Sequence, residues 1–217
     1  MKMPSRLTEV GQLERKDHYH LPADARCYFW GEYTPFDHTN GLNWDYSSTN
    51  KIISNFKKKM DRKCYSDWHY KQEAIQEVAL EFSKFWKWQQ LYNCVALVPM
   101  PPSRSRTDAM FDPRMMDMLK CLSGNVGLQL DIRDCLSFSG RFEASHISGN
   151  RPTPEILLNE LSFCSVAGRT SNIPEAIFLF DDVLTTGAHY CAATRKLSEY
   201  FPGVPVIGNF IARRCLT

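Results

Sequence analysis

The run Ala176-Ile-Phe-Leu-Phe-Asp-Asp-Val-Leu-Thr-Thr-Gly-Ala-His189 decides how this chain is read. Ile177–Phe180 is a short apolar run bounded by polar residues, as expected of a strand buried on both faces. It ends in adjacent carboxylates, Asp181 and Asp182. Thr185, Thr186 and Gly187 form a short loop, and a helix is expected to open at Ala188 and run to Tyr200. Ligands of open parallel sheets bind beyond the carboxyl ends of the strands. A helix N-terminus offers unpaired N–H groups and the positive end of a dipole, which together attract a phosphate. The threonine hydroxyls add donors, and Gly187 lets the backbone approach an anion closely. The carboxylates are acceptors beside that site, suited to vicinal hydroxyls or, through a ligand or water, to a divalent metal. The stretch therefore asks for a phosphate joined to a diol, as in a sugar 5-phosphate.

Outward from that stretch, five more runs read as strands: Cys27–Glu32, Cys94–Val98, Leu128–Ile132, Leu161–Val166 and Val206–Ala212. Helical patterns separate several of them. In Trp68–Trp88, Ala74, Ile75, Val78, Ala79, Phe82, Phe85 and Trp86 recur at three- and four-residue steps. Arg114–Ser123 and Thr49–Lys59 are shorter versions. Strands alternating with helices imply an α/β protein with a Rossmann-like, mostly parallel sheet flanked by helices. Residues 1–50 differ, with Tyr28, Trp30, Tyr33, Phe36, Trp44 and Tyr46 set among turn formers. They are read as an aromatic-rich cap on the α/β domain of residues 51–217. Their rings suit either a base pocket or the cap's own small core.

The 217 residues (25.1 kDa) suit one such domain. A hydrophobic fraction of 43% excludes a disordered chain, and a net charge of +2 excludes a strongly basic nucleic-acid binder. No apolar run is long enough for a membrane span, and the first residues lack a signal peptide's apolar core, so a cytoplasmic protein without a membrane partner is expected. The eight cysteines form no CxxC or Cys/His pair at zinc spacing, so reduced thiols and no zinc are expected. Lys57, Lys58, Lys59, Arg62 and Lys63 form the basic cluster. It suits a phosphate backbone, or simply the solvated C-terminal end of a helix.

Two further segments belong with the first. Val98-Pro-Met-Pro-Pro-Ser103 follows an apolar run and precedes Arg104 and Arg106, and guanidinium groups bind diphosphate bidentately. Phe138–Pro154 is long, polar and framed by Gly140, Gly149, Pro152 and Pro154, the composition of a loop that can serve as a lid. No GxxxxGK[ST] or GxGxxG motif is present.

The Phe-Leu-Phe-Asp-Asp-Val-Leu-Thr-Thr-Gly-Ala-His segment resembles the 5-phosphoribosyl 1-diphosphate (PRPP) signature of type I phosphoribosyltransferases. His189 stands where that family usually has Thr or Ser. The proline-rich segment is similar to the pyrophosphate loop of the same superfamily, most closely its competence-associated, ComF-like branch, although that branch's zinc ribbon is missing here. The resemblance implies the type I fold over about residues 90–215. It implies ribose binding by Asp181 and Asp182, and 5-phosphate binding by Thr185, Thr186, Gly187, Ala188 and His189. Pyrophosphate would be bound by Pro102, Ser103, Arg104 and Arg106, under a lid carrying Arg141, His146 and Arg151. Mg²⁺ would accompany PRPP, touching Asp181 and Asp182 indirectly. The implied activity is phosphoribosyl transfer to a base or other nucleophile with release of pyrophosphate. The alternative is a sensor or effector subunit of a bacterial anti-phage assembly of the retron type. It would act by binding nucleotide or by N-glycosidic chemistry on NAD or nucleotides. Under either reading the expected partners are a small phosphoribosyl or nucleotide ligand and further subunits, as a homo-oligomer or a larger protein or ribonucleoprotein complex.

Overall fold

The computed structural model describes residues 3–140 and 152–216. Among the described residues eight strands form: β1 (Thr8–Glu9), β2 (Arg26–Tyr33), β3 (Val95–Pro99), β4 (Asp131–Ile132), β5 (Leu136–Phe138), β6 (Leu161–Phe163), β7 (Ala176–Leu184) and β8 (Val206–Arg214). Six of them make one sheet in the order β1-β2-β8-β7-β3-β4, in which only the β1–β2 pair is antiparallel. β5 and β6 pair separately as an antiparallel ribbon. Seven helices flank them among the described residues: α1 (Ser48–Phe56), α2 (His69–Phe85), α3 (Trp88–Leu91), α4 (Arg114–Val126), α5 (Pro154–Glu160), α6 (Ser165–Gly168) and α7 (Ala188–Tyr200). The architecture is thus α/β with a mostly parallel sheet, as the alternation of strands and helices implied.

The sheet has a buried cluster on each face. On one, Ile52, Phe56, Val78 and Phe82 of α1 and α2 and Met118 and Leu122 of α4 pack on Leu97, Phe178, Phe180 and Ile211. On the other, Ala188, Ala192, Ala193 and Leu197 of α7, with the β5–β6 ribbon, pack on Val98, Ile177, Leu179 and Phe210. Alternate residues of β7 serve opposite cores, so its apolar run is continuous.

This arrangement fixes where a ligand can enter. From β3 the chain crosses through α4 to β4 on one side; from β7 it crosses through α7 to β8 on the other. The two crossover helices lie on opposite faces, so the loops leaving β3 and β7 part there. The sheet therefore has its topological switch point between these two strands, which is where open α/β sheets form a crevice.

Several elements differ from the sequence expectation. β7 continues four residues beyond Phe180 because β8 keeps pairing with it, through Asp181↔Phe210, Val183↔Ala212 and Leu184↔Arg213. The ladder to β3 stops earlier, at Pro99↔Phe180. The Leu161–Val166 run is a strand only to Phe163; Ser165 begins a helical turn that ends at Arg169 in the left-handed region, φ 49°. The run from Leu128 contributes only Asp131 and Ile132 to the sheet. β2 covers the expected Cys27–Glu32 run with one residue more at each end, and β1, which was not expected, pairs with it at the edge of the sheet.

Candidate functional site

The acid pair sits at the carboxyl end of β7, beside the switch point. Asp182 is buried, 5% exposed, and points to the face of α1, α2 and α4. Lys57, just past the end of α1, donates to its Oδ1 at 3.1 Å. Arg114, the first residue of α4, donates to its Oδ2 from Nη2 at 2.6 Å and Nε at 3.2 Å. The Nη1 of Arg114 reaches Asp112 at 2.8 Å, and the same carboxylate oxygen accepts from Lys71 at 2.7 Å. Lys71 completes its shell on the carbonyls of Phe56 and Lys58, at the C-terminal end of α1 where a cation suits the helix dipole. The charges alternate along this row, Lys57, Asp182, Arg114, Asp112, Lys71. Alternation gives each partly or fully buried charge its counter-ion.

The two aspartates are driven apart. Burial alone would raise Asp182, but Lys57 and Arg114 hold it well below the usual carboxylate range. Asp181 is pushed up to about 7, first by burial and then by the charge of Asp182, against the opposing pull of the Asp182 N–H, Lys57 and Arg114. That N–H donates to Asp181 Oδ1 at 2.7 Å. Adjacent carboxylates in one site cannot both ionise freely, so the pair titrates as a unit with one easy and one difficult proton.

The loop that follows is braced from the N-terminal region. His18, 1% exposed, bonds through Nδ1 to the carbonyl of Thr185. The His20 N–H donates to the carbonyl of Thr186 at 2.9 Å. In a trans peptide the carbonyl of one residue and the N–H of the next point in opposite directions. The N–H groups of Thr186 and Gly187 are therefore turned away from the brace, to the free side of the loop. Gly187 is the N-cap of α7 at φ 87° and ψ 0°, in the left-handed region. A Cβ there would also meet Leu21, with Cγ at 2.9 Å and the backbone N at 3.0 Å. The Ala188 N–H donates to Thr186 Oγ1 at 3.4 Å, where α7 opens. His189 lies edge-on to Phe138 of β5, ring centres 6.1 Å apart.

The loop after β3 begins beside the acid pair, because the Met100 N–H donates to the carbonyl of Phe180 at 2.7 Å. Pro102 and Ser103 follow, half-buried. Both arginines expected to meet pyrophosphate are engaged with the protein itself. Arg104 pairs with Asp108 at 2.7 Å. Arg106 pairs with Asp134 at 2.5 Å and donates to the carbonyls of Asp134 and Leu136. Gly140, at φ 78°, lies against Ser105 so closely that a Cβ would come within 3.0 Å of it. The start of the segment read as a lid thus rests on the β3 loop. Arg141, His146 and Arg151 lie outside the described residues.

The structure brings Asp181, Asp182 and Thr185–His189 together at one sheet edge and sets the Pro102–Arg106 loop on the neighbouring strand. Lys57, Arg114, Asp112, Lys71 and His18 complete the surroundings, and sequence reading did not assign them to the site. Lys57 was visible as the first residue of the basic cluster. Most of that cluster's contacts are internal: Lys58 and Arg62 share Asp67. Arg114, Asp112 and His18 carried no local signal, since the contacts that place them at the site, to Asp182, Lys71 and Thr185, come from distant parts of the chain.

Among the described residues no three His, Cys, Asp or Glu side chains are grouped to hold a metal ion, and no helix is long and apolar enough to cross a membrane. Both oxygens of Asp182 face cations already, so the pair does not form a direct seat for Mg²⁺ in this arrangement. A scan of the chain against protein-family models found no match, and a search of curated proteins found none.

Proposed function

We propose that this edge binds a phosphoribosyl ligand, with PRPP as the substrate and phosphoribosyl transfer as the reaction, on a type I phosphoribosyltransferase fold. One observation carries the reading. The acid pair and a left-handed glycine loop opening α7 stand together at the carboxyl edge of the sheet, at its topological switch point. The loop N–H groups and the start of α7 supply donors for a 5-phosphate. The carboxylates supply acceptors for the ribose hydroxyls, with Asp181 the more available because Asp182 is held by Lys57 and Arg114.

In this reading Mg²⁺ arrives on the diphosphate as part of the substrate, and the protein carries little covalent chemistry. The chain's own residues fix the phosphate and the ribose so that C1 is presented to the nucleophile in one orientation. Lys57 and Arg114 keep positive charge beside the acid pair, where it offsets the negative charge of an arriving ligand. The brace of His18 and His20 keeps the loop N–H groups aimed before the ligand arrives.

A second reading has its own support. Arg104 and Arg106 are tied to Asp108 and Asp134 rather than left for a diphosphate. A subunit that binds a phosphoribosyl compound or nucleotide as a signal, without turnover, would have this character. Calorimetric titration separates the two. Transfer activity predicts Mg²⁺-dependent binding of PRPP and pyrophosphate release with one acceptor base. A sensor predicts binding of PRPP, ribose 5-phosphate or a nucleotide with no release. If none of these ligands binds the wild type, or if Asp181→Asn combined with Thr186→Ala leaves a measured affinity unchanged, the site assignment is wrong.

A further inference from the structure

Outside the acid-pair site, the β5–β6 ribbon brings two cysteines face to face. Its register is Phe138↔Leu161, Ser137↔Ser162 and Leu136↔Phe163. One step further, Cys135 stands opposite Cys164, and the Cys164 N–H donates to the Cys135 carbonyl at 2.8 Å. Cys164 is still extended, at φ −104° and ψ 109°, one residue beyond the end of the ladder and just before the chain turns into α6. Opposed residues of a hydrogen-bonded antiparallel pair have Cα atoms about 5.5 Å apart. A disulfide spans about 4.4–6.8 Å between Cα atoms. Directly opposed side chains also leave a sheet on the same face.

Both cysteines are free thiols, and they differ in access: Cys164 is exposed and Cys135 buried. Each lies near enough to the Arg106 guanidinium for a thiolate there to stabilise that cation. Burial pushes the Cys135 thiol up to about 12, and the exposed Cys164 is the thiol a peroxide reaches first.

We propose that Cys135 and Cys164 are a redox-active pair that closes to a disulfide under a peroxide oxidant. The Cys164 thiolate attacks a peroxide oxygen, giving a sulfenic acid and hydroxide, which takes up a proton to become water. The Cys135 sulfur then attacks the Cys164 sulfur. The S–O bond breaks, the Cys135 proton leaves with the hydroxyl as a second water, and the S–S bond forms. In sum, two thiols lose two electrons and two protons to one hydrogen peroxide, giving one disulfide and two waters. A dithiol reverses the step. The bridge would join the Asp134–Leu136 segment, which Arg106 grips, to the turn that starts α6. The proposal is independent of the ligand assigned to the acid pair.

The test is peptide mapping of the full chain after hydrogen peroxide, with alkylation of remaining thiols and digestion without reduction. Cleavage after Arg133 and Arg141 isolates Cys135 on a short peptide. The expected product is that peptide linked to the one carrying Cys164, lost on treatment with dithiothreitol. Cys164→Ser should leave Cys135 fully alkylatable, and Cys135→Ser should leave Cys164 as a sulfenic acid trapped by a dimedone probe. The exposed Cys164 variant serves alone if the buried one fails to fold. Cys135 staying alkylatable in the wild type while exposed Cys64 is oxidised would overturn the proposal, as would Cys135 bridged to another cysteine.

Discussion

Arg114 closes on Asp182 with two hydrogen bonds to one carboxylate oxygen, 2.6 Å from Nη2 and 3.2 Å from Nε. The two residues come from opposite ends of the domain's logic, the start of a crossover helix and the end of the central strand. Lys57 holds the other oxygen of the same carboxylate from a more exposed position, with 43% of its side chain accessible against 19% for Arg114. Removing one partner of a buried pair strands the other charge, at a cost of about 3–5 kcal/mol, whereas exposed pairs are worth about 0–1 kcal/mol. Arg114→Met should therefore lower the free energy of unfolding by about 3 kcal/mol, and Lys57→Met by less than about 1 kcal/mol. Urea denaturation of the two variants checks this; equal losses would show that Asp182 is not held mainly by Arg114.

Asp181 yields a prediction with a definite sign. Its folded pKa is raised from 3.8 to about 7, so the native state binds a proton that the unfolded state has released. Its contribution to stability is fully present below about pH 4 and is lost as pH rises towards 7. Asp181→Asn mimics the protonated acid and keeps an oxygen for the Asp182 N–H. The variant's advantage over the wild type in chemical denaturation should be smallest near pH 4 and grow steadily to pH 8.5. A difference that does not change with pH would contradict the raised pKa.

His18 runs the other way. Burial lowers its pKa below 6.5, with Arg213 adding to the effect and the bond to Thr185 opposing it. The native state holds it neutral, with the proton on Nδ1 for the Thr185 carbonyl and Nε2 buried without a partner. The unfolded chain takes up a proton below about pH 6.5, so this residue favours folding above that pH and progressively less below it. His18→Gln should cost about 1 kcal/mol at pH 7.5, the scale of one hydrogen bond. That deficit should shrink at pH 5.5. A constant deficit would mean that His18 does not titrate between the two states.

Gly187 is held by conformation and by contact. An L-residue in the left-handed region costs about 1–2 kcal/mol, and a Cβ here would press on Leu21 at 2.9 Å. Gly187→Ala should lose at least that much stability in thermal denaturation. It should also weaken phosphate-ligand binding by more than Gly203→Ala does. Gly203 is likewise left-handed, at φ 79°, but open space surrounds its Cβ position. Equal effects on binding would remove the loop from the site.

The sequence was most legible where a pattern was local. The run to Asp182, the left-handed Gly187 and the helix at Ala188 all lie within a dozen residues, and α7 begins and ends where its pattern placed it. The row of charges below the site was not legible, because Lys57 and Asp182 are 125 positions apart and meet only through the fold. β5 escaped because three residues, Leu136–Phe138, are too few to show alternation. Arg104 and Arg106 suited a diphosphate by type and place, yet composition cannot show that Asp108 and Asp134 stand within reach of them.

Thermal stability with and without Mg²⁺–PRPP tests the central claim most directly, with NAD, ribose 5-phosphate and pyrophosphate as comparison ligands. A ligand that binds only the native state adds RT ln(1 + [L]/Kd), about 2.7 kcal/mol at a hundredfold excess over Kd. For a chain of this size that is a rise of about 5–10 °C in Tm. The account expects such a rise with PRPP, dependent on Mg²⁺ and lost in the Asp181→Asn, Thr186→Ala variant. Folded wild-type protein whose Tm is unmoved by saturating PRPP and by every comparison ligand would contradict a phosphoribosyl site at this edge.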